Sequence, residues 1–437
     1  MKPGSYELTK EEKELLISGK ERLKKDKEEG LGTKGDINNK ETIINIIENG
    51  CWDKNPRPKY HDVYYDAKDY DPVNRVLTTK DGEKIKLTDE QTIHEYEDRK
   101  EIWTPAYTLS INHELYKYSS NESPLLTVRN IAVKDSISEL FWIWIEGSND
   151  LVCFDELLGL RPRFKDPITG NIGKQCKINN DLPGCRTWMS DSEIANYIKN
   201  HDLTKEELKK LKEEAQFINN WWFDWACRNK NGSLYLNEEG HPSIRQCYGY
   251  TASDQLFELR DAIKKDPDGR RHILTLWQLI DFKGPHGLKP CAFMTIWNVR
   301  HGRDGIDYLD CVLIQRSSDY LTAASINQYQ YMVLQNILAN DLNLAVGQFS
   351  WYNNNVQIYD RHIQQAFEQL NRKPIKLEEP ITIEINKKKK LSKLCSKDLT
   401  DPKALSLKLL PTDITLKGYP RDEINRVNPQ QRFQLGI

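Results

Sequence analysis

The sequence predicts an α+β fold, a sheet packed by helices, and three observations carry that prediction. Apolar text is concentrated in short runs: SISELFWIWI (136–145), RRHILTLWQLI (270–280), PCAFMTIWNV (290–299) and LDCVLIQRSS (309–318). INQYQYMVLQNILAND (326–341) reads as a helix, but short strand-like runs outnumber helical ones in the middle of the chain, so a bundle fits poorly. The chain of 437 residues is long enough to bury a large core, in one large domain with insertions or in two or three smaller ones.

Taken in order, residues 5–30 begin with a capping-box pattern in which Thr9 accepts from the backbone and Glu12 reaches back. Alternating Lys and Glu then predict a solvated helix, and residues 1–41 are assigned to a charged, helical N-terminal extension. Polar, turn-rich text at about 59–103 (including KDYDPVNRVLTTKDGEKIKLTDEQ) reads as an inserted excursion. A second excursion runs over about 158–216, where Thr204 and Glu207 repeat the capping-box spacing. The Lys387–Lys390 run reads as a solvated loop, and no internal repeat is evident.

Lys+Arg 63 against Asp+Glu 65 leaves a formal net charge of -2, so no basic surplus points to nucleic acid, and DNA is not expected as a partner. The 9 cysteines are scattered and lack any CxxC pair, which argues against a disulfide framework or a zinc site and for a reducing compartment. A cytoplasmic location without metal or membrane is therefore expected, since no long apolar run is present either.

Cys291 follows a proline at the mouth of an apolar run and is either a small buried filler or a nucleophile. A nucleophilic thiol needs a cation or a helix end to stabilise its thiolate. Arginines stand in NPRPKY (Arg57), in DPDGRRHIL (Arg270, Arg271) and in LIQRSSD (Arg316). Arg316 is set apart by context: it ends an apolar run and precedes two serines and an aspartate, so a guanidinium and hydroxyls converge there on one anion or thiolate.

Pro290-Cys291, Gln315-Arg316-Ser317-Ser318-Asp319, Ile326-Asn327 followed by Tyr331, Glu139 in ELFWIW, Trp222 and Trp225 in WWFDWA, Tyr248-Gly249, the twin arginines of DPDGRR and IYDRH at 358–362 together resemble the thymidylate synthase family. Order and approximate spacing hold over residues 42–375, with LKGY and Ile437 similar to the family's tail. The resemblance implies a catalytic domain over 42–437 and folate-dependent reductive methylation of dUMP to dTMP, with 5,10-methylenetetrahydrofolate as co-substrate and a homodimer as the working unit.

Each implied role suits its residue type. Uracil C5 is too weak a nucleophile to take a one-carbon unit unaided, and Cys291 would activate it by adding to C6. Arg316 would hold the phosphate and favour the thiolate, and Arg57, Arg270, Arg271 and Ser317 would complete the phosphate cage, the twin arginines coming from the neighbouring subunit. Asn327 would read O4 and N3–H of uracil, where an aspartate would suit cytosine. Glu139 would shuttle protons at O4 through water, and Tyr248 would help remove the C5 proton. Gln357 and Tyr359 stand where the family binds the ribose hydroxyl, with Gln315 also on the nucleotide side. Trp222, Trp225 and Asp319 would hold the folate, and Ile437 would close over it.

Three departures stand out. Gln357 replaces the family's usual histidine, Ala292 follows the cysteine where histidine is usual, and the first insertion separates Arg57 from TPAYTLSI, leaving Arg99 as a rival for the phosphate-loop role. Two other outcomes remain open: a dUMP hydroxymethylase, in which water captures the exocyclic methylene, and an inactive nucleotide- or RNA-binding member of the family. Retention of Trp222, Trp225, Gln315 and Ile437 favours the methyl product, and retention of Cys291 and Asn327 favours activity.

Overall fold

Helix α1 (Lys10–Glu29) starts as the capping box requires, since Thr9 Oγ1 accepts the Glu12 N–H at 3.2 Å while the Glu12 carboxylate accepts the Thr9 N–H at 2.9 Å. It stops at Gly30, whose φ of 61° is the left-handed turn that glycine adopts without strain. A computed structural model describes residues 6–54, 56, 58–65, 67, 69–95, 99–147, 204, 252, 254–277, 289–393, 402–431 and 433 of this chain.

The helix is not simply solvated, as its Lys/Glu pattern suggests. Leu16 and Leu23 are buried, and Gly19 lies so close to Leu370 that a Cβ would collide with it. Asp26 is buried too. Its carboxylate takes a 2.6 Å ion pair from Lys40 on α2 (Lys34–Asn49), with both side chains 0% exposed, and Lys40 also donates to the Arg372 carbonyl at 2.6 Å. A buried pair is tolerated when the remaining donors are satisfied in this way. Residue 41, taken above as the end of the extension, falls inside α2, whose Ile43, Ile46 and Ile47 enter the main core.

After β1 (Cys51–Trp52), the segment read above as the first insertion folds into two small antiparallel sheets. One pairs β2 (Lys59–Tyr65), β7 (Arg99–Pro105) and β6 (Thr92–Glu95) in the order β2-β7-β6; the other is a meander of β3 (Asp69–Asp71), β4 (Val76–Thr78) and β5 (Lys84–Lys86). Leu77, Leu87 and Ile102 give it a small core of its own.

The main sheet is mixed and runs β1-β8-β13-β11-β10-β9, using β8 (Thr108–Tyr118), β9 (Ile273–Thr275), β10 (Ala292–His301), β11 (Asp307–Gln315) and β13 (Ala345–Tyr359). The two-residue β12 (Ser318–Asp319) pairs with the far end of β13. β11 and β13 are parallel, as their crossover requires, β12 also runs parallel to β13, and the other pairings in this sheet are antiparallel. That crossover contains α5 (Ser325–Leu342), which covers one face of the sheet beside α3 (Val133–Leu140), with α4 (Gln255–Lys265) and α6 (Ile363–Asn371) nearby. The α+β architecture read from the sequence is the one observed. No helix among the described residues is long and apolar enough to cross a membrane.

Candidate active site

Sheet register brings Cys291 and Arg316 together. Ala292 pairs with Gln315, so the residues on either side of that pair meet at one end of the sheet, where the Arg316 N–H donates to the Cys291 carbonyl at 2.9 Å. A register shift between Ala292 and Met294 marks a bulge just after the cysteine, the device by which strands re-aim a side chain. The Arg316 guanidinium folds back over the same turn, donating from Nε to the Pro290 carbonyl at 2.9 Å and from Nη2 to the Lys289 carbonyl at 2.7 Å. Burial pushes the Cys291 thiol up from its ordinary value, and the neighbouring Arg316 charge opposes that rise.

The rest of the 315–319 turn is held from beneath. Gln315 is buried; its amide donates to the Ser317 carbonyl at 3.0 Å and accepts from the Trp351 indole at 2.9 Å. Ser317 Oγ lies 3.5 Å from Asn355 Oδ1. Asp319 pairs with Gln357 across β12 and β13, which places these two side by side and Tyr359 just beyond, at the strand's end. The Tyr359 phenol is raised chiefly by burial, with smaller contributions from the Asp319, Cys291 and Asp53 charges.

Glu139 sits at the end of α3, which widens into a π-helical turn at Phe141–Ile145, where the Glu146 N–H reaches back to Phe141 O at 2.8 Å. Such turns recur at functional sites. Burial raises the Glu139 carboxyl from 4.5 to about 7, against a lowering contribution from its hydrogen bond with Gln330. Gln330 donates from Nε2 to Glu139 at 2.6 Å and to the Ser136 carbonyl at 3.0 Å, and so ties α3 to α5. On the next residue, the Tyr331 hydroxyl donates to the Ala292 carbonyl at 3.4 Å, linking α5 to the cysteine's strand. Asn327 lies in the first turn of α5, but it is not a cap: the helix starts at Ser325, with Ala324 as its N-cap. The Asn327 amide is half-buried and makes no hydrogen bond among the described residues.

Asp319 places a fully buried carboxyl at the end of this turn. Burial raises its carboxyl to about 6, while Thr322 and the Arg129 guanidinium pull it down. Neither carboxylate oxygen reaches a hydrogen bond of ordinary geometry within the described residues. A buried acceptor of this kind suits the N–H edge of a planar heterocycle. Arg129 is itself buried, pushed down to about 10 by desolvation, and sits 5.2 Å from the Phe433 ring.

Arg270 and Arg271 are exposed in the loop between α4 and β9. Either side of them the loop is pinned, by His272 Nε2 at 2.8 Å from the Asp266 carbonyl and by His301 Nε2 at 2.9 Å from Asp268. Arg57, Trp222, Trp225, Tyr248 and Ile437 lie outside the described residues, as does the second insertion apart from Thr204; Arg99 is placed on β7 by its backbone alone. No group of three or more His, Cys, Asp or Glu side chains suited to a metal ion occurs among the described residues.

Sequence reasoning missed Gln330, Arg129 and Asn355. Gln330 carried a usable signal, standing one helical turn after Asn327 and therefore on the same face. The other two owe their positions to contacts distant in sequence and left no local pattern.

The family model described as "Thymidylate synthase" matches residues 192–424. The thymidylate synthase of Lactococcus lactis subsp. lactis (strain IL1403) is 28% identical over 335 residues, covering 76% of this chain and 81% of the relative. That of Streptococcus suis (strain 05ZYH33) is 26% identical over 407 residues, covering 93% and 100%. Among solved structures, thermostable thymidylate synthase A from Bacillus subtilis is 21% identical, with a TM-score of 0.49 and coverage of 92% of this chain and 99% of that one.

Proposed function

The chain belongs to the thymidylate synthase family, and from that premise we propose that its residues 42–437 catalyse the reductive methylation of dUMP to dTMP at the sheet end that carries Cys291. The observation carrying the proposal is the folding of the Arg316 guanidinium over the Lys289–Cys291 turn, which puts a fixed cation beside the candidate nucleophile. Cys291 Sγ adds to C6 of the uracil ring, and the electrons move to C5 and O4, making C5 the nucleophile. The reduced folate supplies the one-carbon unit and the hydride. Glu139, raised to about 7, is suited to give and take a proton at O4 near neutrality. Asn327 presents a free amide able to donate to O4 and accept from N3–H. Gln357 and Tyr359 bind the ribose, Gln315 braces the turn beneath the nucleotide, and Ser317, Arg57, Arg270 and Arg271 join Arg316 on the phosphate. Asp319, Trp222, Trp225 and Ile437 hold the folate.

The exposure of Arg270 and Arg271 supports a homodimer in which each subunit lends both residues to its partner's phosphate. Mass spectrometry of the product from dUMP and methylenetetrahydrofolate tests the reaction. A methyl product with stoichiometric dihydrofolate is expected; a product heavier by one oxygen, without dihydrofolate, assigns the chain as a hydroxymethylase.

A further inference from the structure

The first insertion is locked onto the strand end that carries Tyr359. Tyr60 and Asp62 alternate on β2 and so project from the same face. Tyr60 is fully buried; its ring meets that of Tyr359 at 6.0 Å and 64°, and the two form one small apolar cluster with Ala106. Its hydroxyl donates to Asp360 Oδ1 at 2.7 Å, and the same oxygen accepts the Arg361 N–H at 2.9 Å. The Arg361 guanidinium stacks 4.0 Å from the Tyr60 ring centroid and grips Asp62 with both prongs, Nη1 to Oδ1 and Nη2 to Oδ2, each at 2.8 Å. Backbone bonds flank the arrangement, from Asp360 N to Tyr107 O at 2.9 Å and from Ala106 N to Pro58 O at 3.0 Å.

We infer that Tyr60 and Asp62 are positioning residues for nucleotide binding, which hold Tyr359 at the ribose hydroxyl through Asp360 and Arg361. The inference rests on the nucleotide reading of Tyr359 given above. Planar two-pronged pairing fixes orientation as well as distance, and Arg361 directly follows Asp360 and Tyr359, so a tilt of its fork rotates the strand end. Small displacements of a substrate-contacting group are costly out of proportion to their size. The insertion retains its own core at Leu77, Leu87 and Ile102, so loss of the clamp loosens the docked end and leaves the small sheets intact.

The test compares calorimetric binding of dUMP and of 2′,3′-dideoxyuridine 5′-monophosphate to the full-length protein and to the variants Asp62→Ala and Tyr60→Phe. In both variants the Kd for dUMP is expected to rise about five- to tenfold, while that of the analogue lacking the 3′-hydroxyl changes less than about twofold, a coupling between clamp and hydroxyl. Tyr60→Phe removes one oxygen and keeps the ring, so it gives the answer even if Asp62→Ala does not fold. Equal weakening of both nucleotides, or weakening of neither, overturns the inference while the wild type still prefers dUMP. A wild type that binds the two nucleotides equally removes the ribose reading of Tyr359, and the clamp's role with it.

Discussion

Both amide carbonyls preceding Cys291 are hydrogen-bonded by the Arg316 side chain, Pro290 O through Nε at 2.9 Å and Lys289 O through Nη2 at 2.7 Å. The arginine thus shapes the turn and charges its surroundings at once. Burial disfavours the thiolate and the guanidinium favours it, so their balance sets reactivity. Iodoacetamide labelling of Cys291, followed by peptide mass spectrometry across pH, is expected to give a midpoint above that of an ordinary thiol. Arg316→Gln removes the opposing charge and is expected to move the midpoint higher still; a downward move contradicts the assignment.

Glu139 yields a pH prediction with a definite sign. Its folded pKa of about 7 lies above the ordinary 4.5, so the stabilising contribution of the protonated form is complete below about pH 4.5 and is lost as pH rises through about 7. Glu139→Gln is expected to flatten thermal stability against pH over that window and to lower kcat by about 10²–10⁴-fold. Gln330→Met deletes a hydrogen bond that favours the carboxylate, and is expected to shift the pH dependence of kcat upward.

Asn327 is half-buried with its amide unengaged by the described residues, although a capping role would be the ordinary reading of an asparagine near a helix start. Asn327→Asp reverses the hydrogen-bonding pattern that uracil requires. The ratio of kcat/KM for dUMP to that for dCMP is expected to fall by about tenfold or more, the scale of one mispaired buried polar group; an unchanged ratio removes Asn327 from base recognition.

Exposed Arg270 and Arg271 predict complementation. An Arg271→Ala chain mixed with a Cys291→Ser chain forms hybrid dimers in which one site keeps both groups. Activity approaching about a quarter of the wild type is expected when subunits exchange freely, because half the dimers are hybrids with one intact site. Absence of recovery, with exchange demonstrated by mass spectrometry, places the arginines in their own subunit's site.

The sequence made local features readable. The Thr9–Glu12 box is present as read, and the Cys291 and Arg316 motifs end adjacent strands, because a short hairpin between β10 and β11 fixes their register. Features built over long separations were hidden. Charged text around Leu16, Gly19 and Leu23 masked a buried stripe on α1, and the core-facing alternation of β13 is diluted by Asn353, Asn354 and Asn355. Nothing near Tyr60 or Asp62 announces partners at Asp360 and Arg361, since that contact exists only once both strands are in place.

Covalent capture tests the nucleophile most directly. The full-length protein is incubated with 5-fluoro-dUMP and methylenetetrahydrofolate, and the peptide containing Cys291 is weighed. The account predicts a ternary adduct on Cys291 that is absent from Cys291→Ser; an unmodified Cys291 peptide, or an adduct on another residue, would contradict it.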